Sequence, residues 1–315
     1  MGLMFPDDLA AWHRWHADRH RLRSLRAGLR PRSSIAARLH VRGPAPRLLV
    51  VLETTAPTSR IALLEPLRDL GDLDVAILAA PVDLGELPGI GWRTREVTAE
   101  TWAKTLNRAD SVAAVVAAGD YLPLGGLAGR WAAEREIPFV VVQHGLTTPA
   151  APPLPQGAHL LTWTPADAEF WWSGRTDGST AVVGSQLLWQ AAAEAATHPN
   201  GGARIDPQSA PTYLGQLHAA ELPRRELASA AYTFCRDHHA LYRPHPSELD
   251  RASRALHEVW RRRGIAFDDG SVPLRELRTP VVAVFSTGIL EAAAAGVPAW
   301  VDFPRPPAWL AEFWD

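Results

Sequence analysis

From residue 47 onward the chain repeats one pattern, a short apolar run rich in β-branched residues followed by a longer stretch with helical spacing. Residues 47–52, 74–79, 112–117 and 139–142 read as strands, with helices over 59–70, 101–108 and 127–136 between them. Strands separated by helices of this length form right-handed βαβ units on a parallel sheet. The Pro- and Ala-rich residues 149–157 read as an exposed loop, followed by a strand at 159–163, a helix opening at 164–167 and a strand at 180–183. Pro165 suits a first helical turn, where its missing N–H is no loss. Residues 197–211, with Asn200-Gly201-Gly202 and three prolines, read as a linker. Beyond them the pattern restarts, with strands at 212–215, 241–243, 265–267, 281–285 and 299–301 and helices at 223–236, 247–263 and 289–295. The expected fold class is α/β: two Rossmann-like parallel-sheet domains, 47–200 and 201–315, facing a central cleft, behind an N-terminal basic helical segment at 1–46. A crevice between two such sheets is the natural ligand site.

Hydrophobic residues at 47% and charged residues at 21% describe an ordinary globular chain. The formal charge is −2, yet residues 1–47 hold ten Arg against Asp7, Asp8 and Asp18, which makes this segment strongly basic and the remainder acidic. The basic segment offers a surface for peripheral membrane contact, and its Leu9, Trp12, Leu22, Leu25 and Leu29 recur near helical spacing. His13, His16 and His20 share a face of that helix, but with no carboxylate or thiol beside them they do not read as a metal site. The arm lacks the interleaved exposed aromatics of a nucleic-acid binder beyond Trp12 and Trp15. Cys235 is the single cysteine, so no internal disulfide framework forms. Asp7 and Asp8 stand where a signal peptide would need its apolar core, and the expectation is a cytoplasmic protein, with membrane association through residues 1–46 left open.

Three polar signatures fall where expected strands end: Gln143-His144-Gly145, Arg243-Pro244-His245-Pro246 and Ser286-Thr287-Gly288. Ligands of α/β proteins gather outside the carboxyl ends of the strands, so the three outline a binding crevice. Ser286 and Thr287 open a helix after a buried strand, where hydroxyls and backbone N–H groups meet the positive end of the dipole, a phosphate-binding geometry. Gly288 permits close approach of a ligand to the backbone, and Thr287 alternatively serves only as a cap. Glu291, one turn on, is placed to accept from ribose hydroxyls, or is simply an acid favoured by the dipole. His245, between two prolines and beside Arg243, is placed to donate to a phosphate or to act as an acid. Glu248 reads more simply as an acid favouring the start of the next helix. His144 is the candidate base or acceptor-binding residue of the first domain, and Asp120 a second candidate, or a turn-forming residue before Tyr121-Leu122-Pro123.

With these residues the chain resembles two-Rossmann glycosyltransferases of the GT-B type, in the branch that includes CDP-glycerol glycerophosphotransferases, capsular Kdo transferases and bacterial sialyltransferases. Those families carry a His-Pro motif and a Ser-Ser or Ser-Thr motif that contact a cytidine nucleotide, and here His245-Pro246 and Ser286-Thr287 match them. The stretch from Ser286 to Pro298 is similar to the donor-gripping helix of that fold, which implies Glu291 near the ribose. The resemblance implies a metal-independent transferase without a cofactor, using a nucleotide-activated sugar or polyol donor and a glycan or lipid-linked acceptor in cell-envelope biogenesis. One departure is clear: the acidic triplet that sialyltransferases place in the first domain occurs here only as Asp268-Asp269-Gly270, after His245. A non-catalytic nucleotide- or RNA-binding protein on the same scaffold is the rival reading, and a sugar-nucleotide epimerase is a third.

Overall fold

The computed structural model describes residues 2–19, 35–54, 56–106, 109–197 and 209–310. The chain divides into two compact units, residues 1–186 and 187–315. Each is α/β, and each has its own sheet.

The first unit is built on an eight-stranded sheet in the order β4-β1-β3-β2-β5-β6-β7-β8. Its strands are β1 (Ala36–Arg42), β2 (Leu48–Leu52), β3 (Val75–Ala79), β4 (Arg93–Thr98), β5 (Ala114–Ala117), β6 (Phe139–Val142), β7 (His159–Thr162) and β8 (Ser179–Val182). From β3 across to β8 every pairing is parallel, as the βαβ pattern requires. The sheet is nevertheless mixed, because β1 runs antiparallel to both β3 and β4. That corrects the expectation of a purely parallel sheet, and it places residues 36–42, read with the basic N-terminal segment, inside the body. In β1 the side chains of Ala37 and Leu39 are buried while Arg38 and Arg42 are half-exposed, an alternation hidden in an Arg-rich stretch. β4 is an edge strand whose Arg93, Thr94, Arg95 and Glu96 face water, so no apolar run announces it, and its charges blunt an open edge.

Alternate residues of the central strands feed two cores. Leu49 and Val51 of β2 pack with α4 (Pro123–Ala133) and α5 (Pro165–Trp172) through Leu124, Ala128, Trp131 and Trp171. Val50 and Leu52 pack on the other face with Leu63 and Leu64 of α2 (Pro57–Leu64). This double covering explains why β3 is buried along its whole length and reads as a continuous apolar run. A single helical turn, α3 (Trp102–Thr105), stands where a longer helix was expected, and residues 107 and 108 of that expectation lie outside the described ones. α1 (Leu9–Arg19) packs on the body: Trp12 is buried, its Nε1 donates to the Ala150 carbonyl at 2.8 Å, and its ring meets Tyr121 edge-on at 5.6 Å. The remainder of the expected basic helix, His20 included, lies outside the described residues. The loop at 149–157 is largely buried, not exposed, because Trp171 Nε1 donates to the Pro152 carbonyl and Arg175 to the Leu154 carbonyl.

The second unit opens within α6 (Gln186–Thr197), which the sequence pattern does not announce, and contains a parallel sheet in the order β10-β9-β11-β12. Its strands are β9 (Thr212–Leu214), β10 (Leu241–Arg243), β11 (Val281–Ala283) and β12 (Ala299–Val301), with Phe267 bridging to Tyr242 beyond β10. α9 (Thr287–Ala294) packs on one face with Ala191 of α6. On the sheet and around it, α7 (Arg224–Asp237) and α8 (Arg251–Arg262) contribute Phe234 and Trp260 to an aromatic cluster with Tyr213, Tyr242 and Phe267. Cys235 is buried here, and burial pushes its thiol up to about 12, so it is a small hydrophobe and not a nucleophile. Among the described residues no helix is long and apolar enough to cross a membrane.

Candidate functional site

In each unit the strand order reverses once, between β2 and β5 in the first and between β9 and β11 in the second. Such reversals open a crevice at the carboxyl ends of the strands, because the connections leave in opposite directions.

In the second unit three strand ends are knitted together by residues of the β9 loop. Gln216 Oε1 accepts from the backbone N–H groups of Val284 (2.9 Å) and Phe285 (3.0 Å), which ties that loop to the end of β11. The Leu217 N–H donates to Glu248 Oε1 at 2.9 Å, which ties it to the segment after β10. The His218 ring stacks on the His245 ring with centroids 3.8 Å apart and planes 16° from parallel. His245 Nδ1 accepts from the Ser247 N–H at 3.1 Å, so the neutral ring carries its proton on Nε2 and presents a donor. Burial lowers the His245 pKa, which favours that neutral form.

Glu248 is the hub beneath. Its carboxylate accepts from Leu217, from Tyr242 Oη (2.9 Å) and pairs with His257 Nε2 (2.9 Å). Burial pushes this carboxyl up, but the hydrogen bonds from His257, Leu217 and Tyr242 together overcome it and hold the pKa below the ordinary value. It therefore does not start the following helix; Asp250 does, accepting from Ala252 and Ser253 N–H. Gly215 is required beside this hub, since a Cβ there would run into Tyr242 Oη and Glu248.

The other expected donor-site residues take varied places. Ser286 is the N-cap of α9 and accepts from the Gly288 N–H at 3.1 Å, so the cap falls on Ser286 and Thr287 opens the helix proper. A Cβ at Gly288 would meet the ends of the Leu214 and Leu274 side chains, so the space beside it is filled by protein. Arg243 is drawn to the acidic triplet, with Nη1 3.4 Å from Asp268 Oδ2 and Nη2 donating to the Gly270 carbonyl. Glu291 is buried and accepts from the Arg275 N–H; burial raises its pKa, while Arg275 and Arg243 lower it. The charges of Arg243 and Glu291 thus act on each other across β10 and α9.

In the first unit Gln143 is a brace. Its Oε1 accepts from Thr162 Oγ1 and Trp163 N–H, both at 2.8 Å, and its Nε2 donates to Gly145 O, joining the ends of β6 and β7. His144 and Asp120 follow adjacent parallel strands, since Ala117 of β5 pairs with Val141 of β6. His144 Nδ1 and Asp120 Oδ1 are both buried without a hydrogen-bond partner. Burial lowers the His144 pKa against a bond to the Val142 carbonyl, and burial raises that of Asp120 against its own backbone N–H and the charge of His13 on α1. A neutral imidazole and a carboxylate reluctant to ionise are both suited to exchanging a proton.

Among the described residues no group of three or more His, Cys, Asp or Glu is arranged to hold a metal ion. An Asp-x-Asp triplet does occur at Asp72-Leu73-Asp74, but it precedes β3, at the end of the first sheet opposite that unit's crevice, and Asp74 Oδ2 accepts from the Ala45 N–H. Glu53 follows β2 directly, and Gln216 and His218 lie in the loop that leaves β9; the strand-end rule that selects His144 and His245 reaches them too once every strand is treated alike. No family model matches this chain, and no curated protein matches its sequence.

Proposed function

We propose that this protein is a nucleotide-dependent transferase of the GT-B kind, moving a sugar or polyol-phosphate unit from a nucleotide-activated, cytidine-type donor to a cell-envelope glycan or lipid-linked acceptor. The observation that carries the reading is the stacked His218–His245 pair beyond the carboxyl ends of β9 and β10, with the His245 tautomer set to donate from Nε2. A neutral donor fixed at a strand end binds a phosphate oxygen, and the Ser286 hydroxyl, which accepts from Gly288, still has its own proton to give. With the N-terminus of α9 these groups stabilise charge on a departing nucleotide. Transfer also needs a proton acceptor, and His144 and Asp120 are the candidates of the first unit. Contact of residues 1–46 with a membrane surface belongs to the same proposal.

The test is a thermal-shift comparison of CMP, CDP, UDP, GDP and ADP with the wild-type chain and His245→Ala. A ligand held at a hundred times its Kd stabilises the folded state by about 2.7 kcal/mol. At least one nucleotide, with cytidine favoured, is expected to raise the wild-type midpoint, and His245→Ala to lose most of that gain. No response to any nucleotide would sink the proposal, and an undiminished response in the variant would remove His245 from the site.

A further inference from the structure

α8 buries one side and turns a basic one to water. Ser253, His257 and Trp260 are buried, whereas Arg251, Arg254, Glu258, Arg261 and Arg262 are exposed, as is Arg263 just past the helix. At 3.6 residues per turn, Arg251, Arg254, Arg261 and Arg262 fall within an arc of about 100°. Ala252, Ala255 and Val259, also exposed, lie beside that arc, so the outer face is a basic stripe bordered by a strip of hydrocarbon.

Few of these charges are balanced within the fold. Asp250, at the helix start, pairs with Arg224 of α7 at 3.1 Å and caps the Ala252 and Ser253 amides. Glu258 pairs with Arg262 at 3.1 Å. Among the described residues Arg251, Arg254, Arg261 and Arg263 have no carboxylate partner. The Arg261 guanidinium carbon lies 4.1 Å from the Phe267 ring centroid, and that of Arg263 lies 5.8 Å from the centroid of Tyr232. Stacking of this kind uses the planar face of the group and leaves its N–H edge free for paired bonds to a phosphate.

A basic stripe attracts any polyanion, and the hydrocarbon beside it decides which. Val259 is 41% exposed, and Leu249, immediately before the cap, is 74% exposed. Such side chains gain by entering a bilayer and gain nothing along a sugar–phosphate chain. The ring that could stack on bases, Trp260, is turned into the core. An amphipathic helix with this many arginines suits anionic lipid headgroups. We infer that α8 is a membrane-docking surface, which lays its arginine stripe on the phosphates of an anionic bilayer while Leu249 and Val259 enter the headgroup layer. It is a contact of the second unit, separate from the one proposed for residues 1–46, and it needs neither that contact nor the nucleotide site.

The experiment is co-sedimentation of the full chain with phosphatidylcholine vesicles made with and without phosphatidylglycerol. Wild type is expected to bind only the vesicles that contain phosphatidylglycerol. Arg251→Glu with Arg254→Glu should weaken that binding at least about thirtyfold, since each arginine at an anionic surface accounts for roughly a fivefold gain and two are lost. An acid in the first turn suits the helix dipole and neither arginine has an ion pair to lose, so this variant folds, with a thermal midpoint like that of wild type. Val259→Ser, which leaves the charge unchanged, should weaken binding about threefold. Arg278→Glu with Arg305→Glu alters two exposed arginines of the same unit outside this helix and should bind within about twofold of wild type. Equal binding with and without phosphatidylglycerol, wild-type affinity in the α8 double variant, or an equal loss in the Arg278 and Arg305 variant would each overturn the inference. Binding of single-stranded RNA without binding of vesicles would overturn it too, and would make the stripe a nucleic-acid surface. Loss of binding only when Arg21, Arg23 and Arg26 are changed to Glu would also overturn it, while leaving the contact of residues 1–46 in place.

Discussion

Glu248 ties the loop after β9, strand β10 and helix α8 of the second unit together with one carboxylate. Replacing it with Ala leaves the Tyr242 hydroxyl and the Leu217 N–H buried without their acceptor. Removing one side of such a buried arrangement costs about 3–5 kcal/mol. Tyr242→Phe removes one donor and leaves Glu248 its bonds to Leu217 and His257, so it should cost only about 1 kcal/mol. Chemical denaturation of both variants checks the ordering; a Glu248→Ala chain within about 0.5 kcal/mol of wild type would show that the hub contributes little. The same residue marks what a sequence conceals. An acid two residues after His-Pro reads as a helix starter, and nothing local reveals that Leu217 and His257 arrive from other elements to surround it. His245 was legible because two prolines flag it; its partner His218 carries no such flag, and only the parallel pairing of β9 with β10 brings the rings together.

At the scale of elements, α4 shows how a glycine's value depends on its neighbours. Gly to Ala inside a helix ordinarily gains about 0.5–1 kcal/mol, because the unfolded chain loses freedom. At Gly129 a Cβ would lie 3.5 Å from the Phe139 ring, an ordinary contact, so Gly129→Ala should stabilise by about that amount. At Gly125 a Cβ would press into the Gly119 carbonyl, a backbone atom that cannot turn aside. Gly125→Ala forces α4 away from the end of β5 and pulls the Gly125 N–H off Glu53, at a cost of about 1–3 kcal/mol. Opposite signs for two glycines four residues apart, read in urea titrations, check the packing; equal signs would refute it. Elements buried on both faces, such as β2 and β3, were legible because their apolar runs are continuous. β1 and β4 were not, since one is half-polar by alternation and the other is an exposed edge. The turn before α4 reads as polar and irregular, and the close approach of Glu53 to it follows only from sheet order.

For the whole molecule, pH is the lever that acts on both units at once. His40 and His144 in the first unit and His245 in the second have pKa values lowered from 6.5, each mainly by burial. A histidine whose folded pKa is depressed takes its proton first in the unfolded chain. Its contribution to stability is therefore complete above about 6.5 and is lost as the pH falls below that value. Each proton taken up by the unfolded chain alone lowers stability by up to about 1.4 kcal/mol per pH unit. Glu53, Asp120 and Glu291 have raised values and act in the opposite direction: the stability they cost sets in as the pH rises from near 4 through their folded values. Between pH 7.5 and 5.5 the histidines should prevail, and guanidinium denaturation at dilute protein concentration should show stability falling on acidification. His144→Gln should remove its own share of that slope and leave the shares of His40 and His245 intact. Stability that stays level or rises over this range would mean that the three imidazoles are hydrated, and that the two strand-end sites are open to water where the packing encloses them.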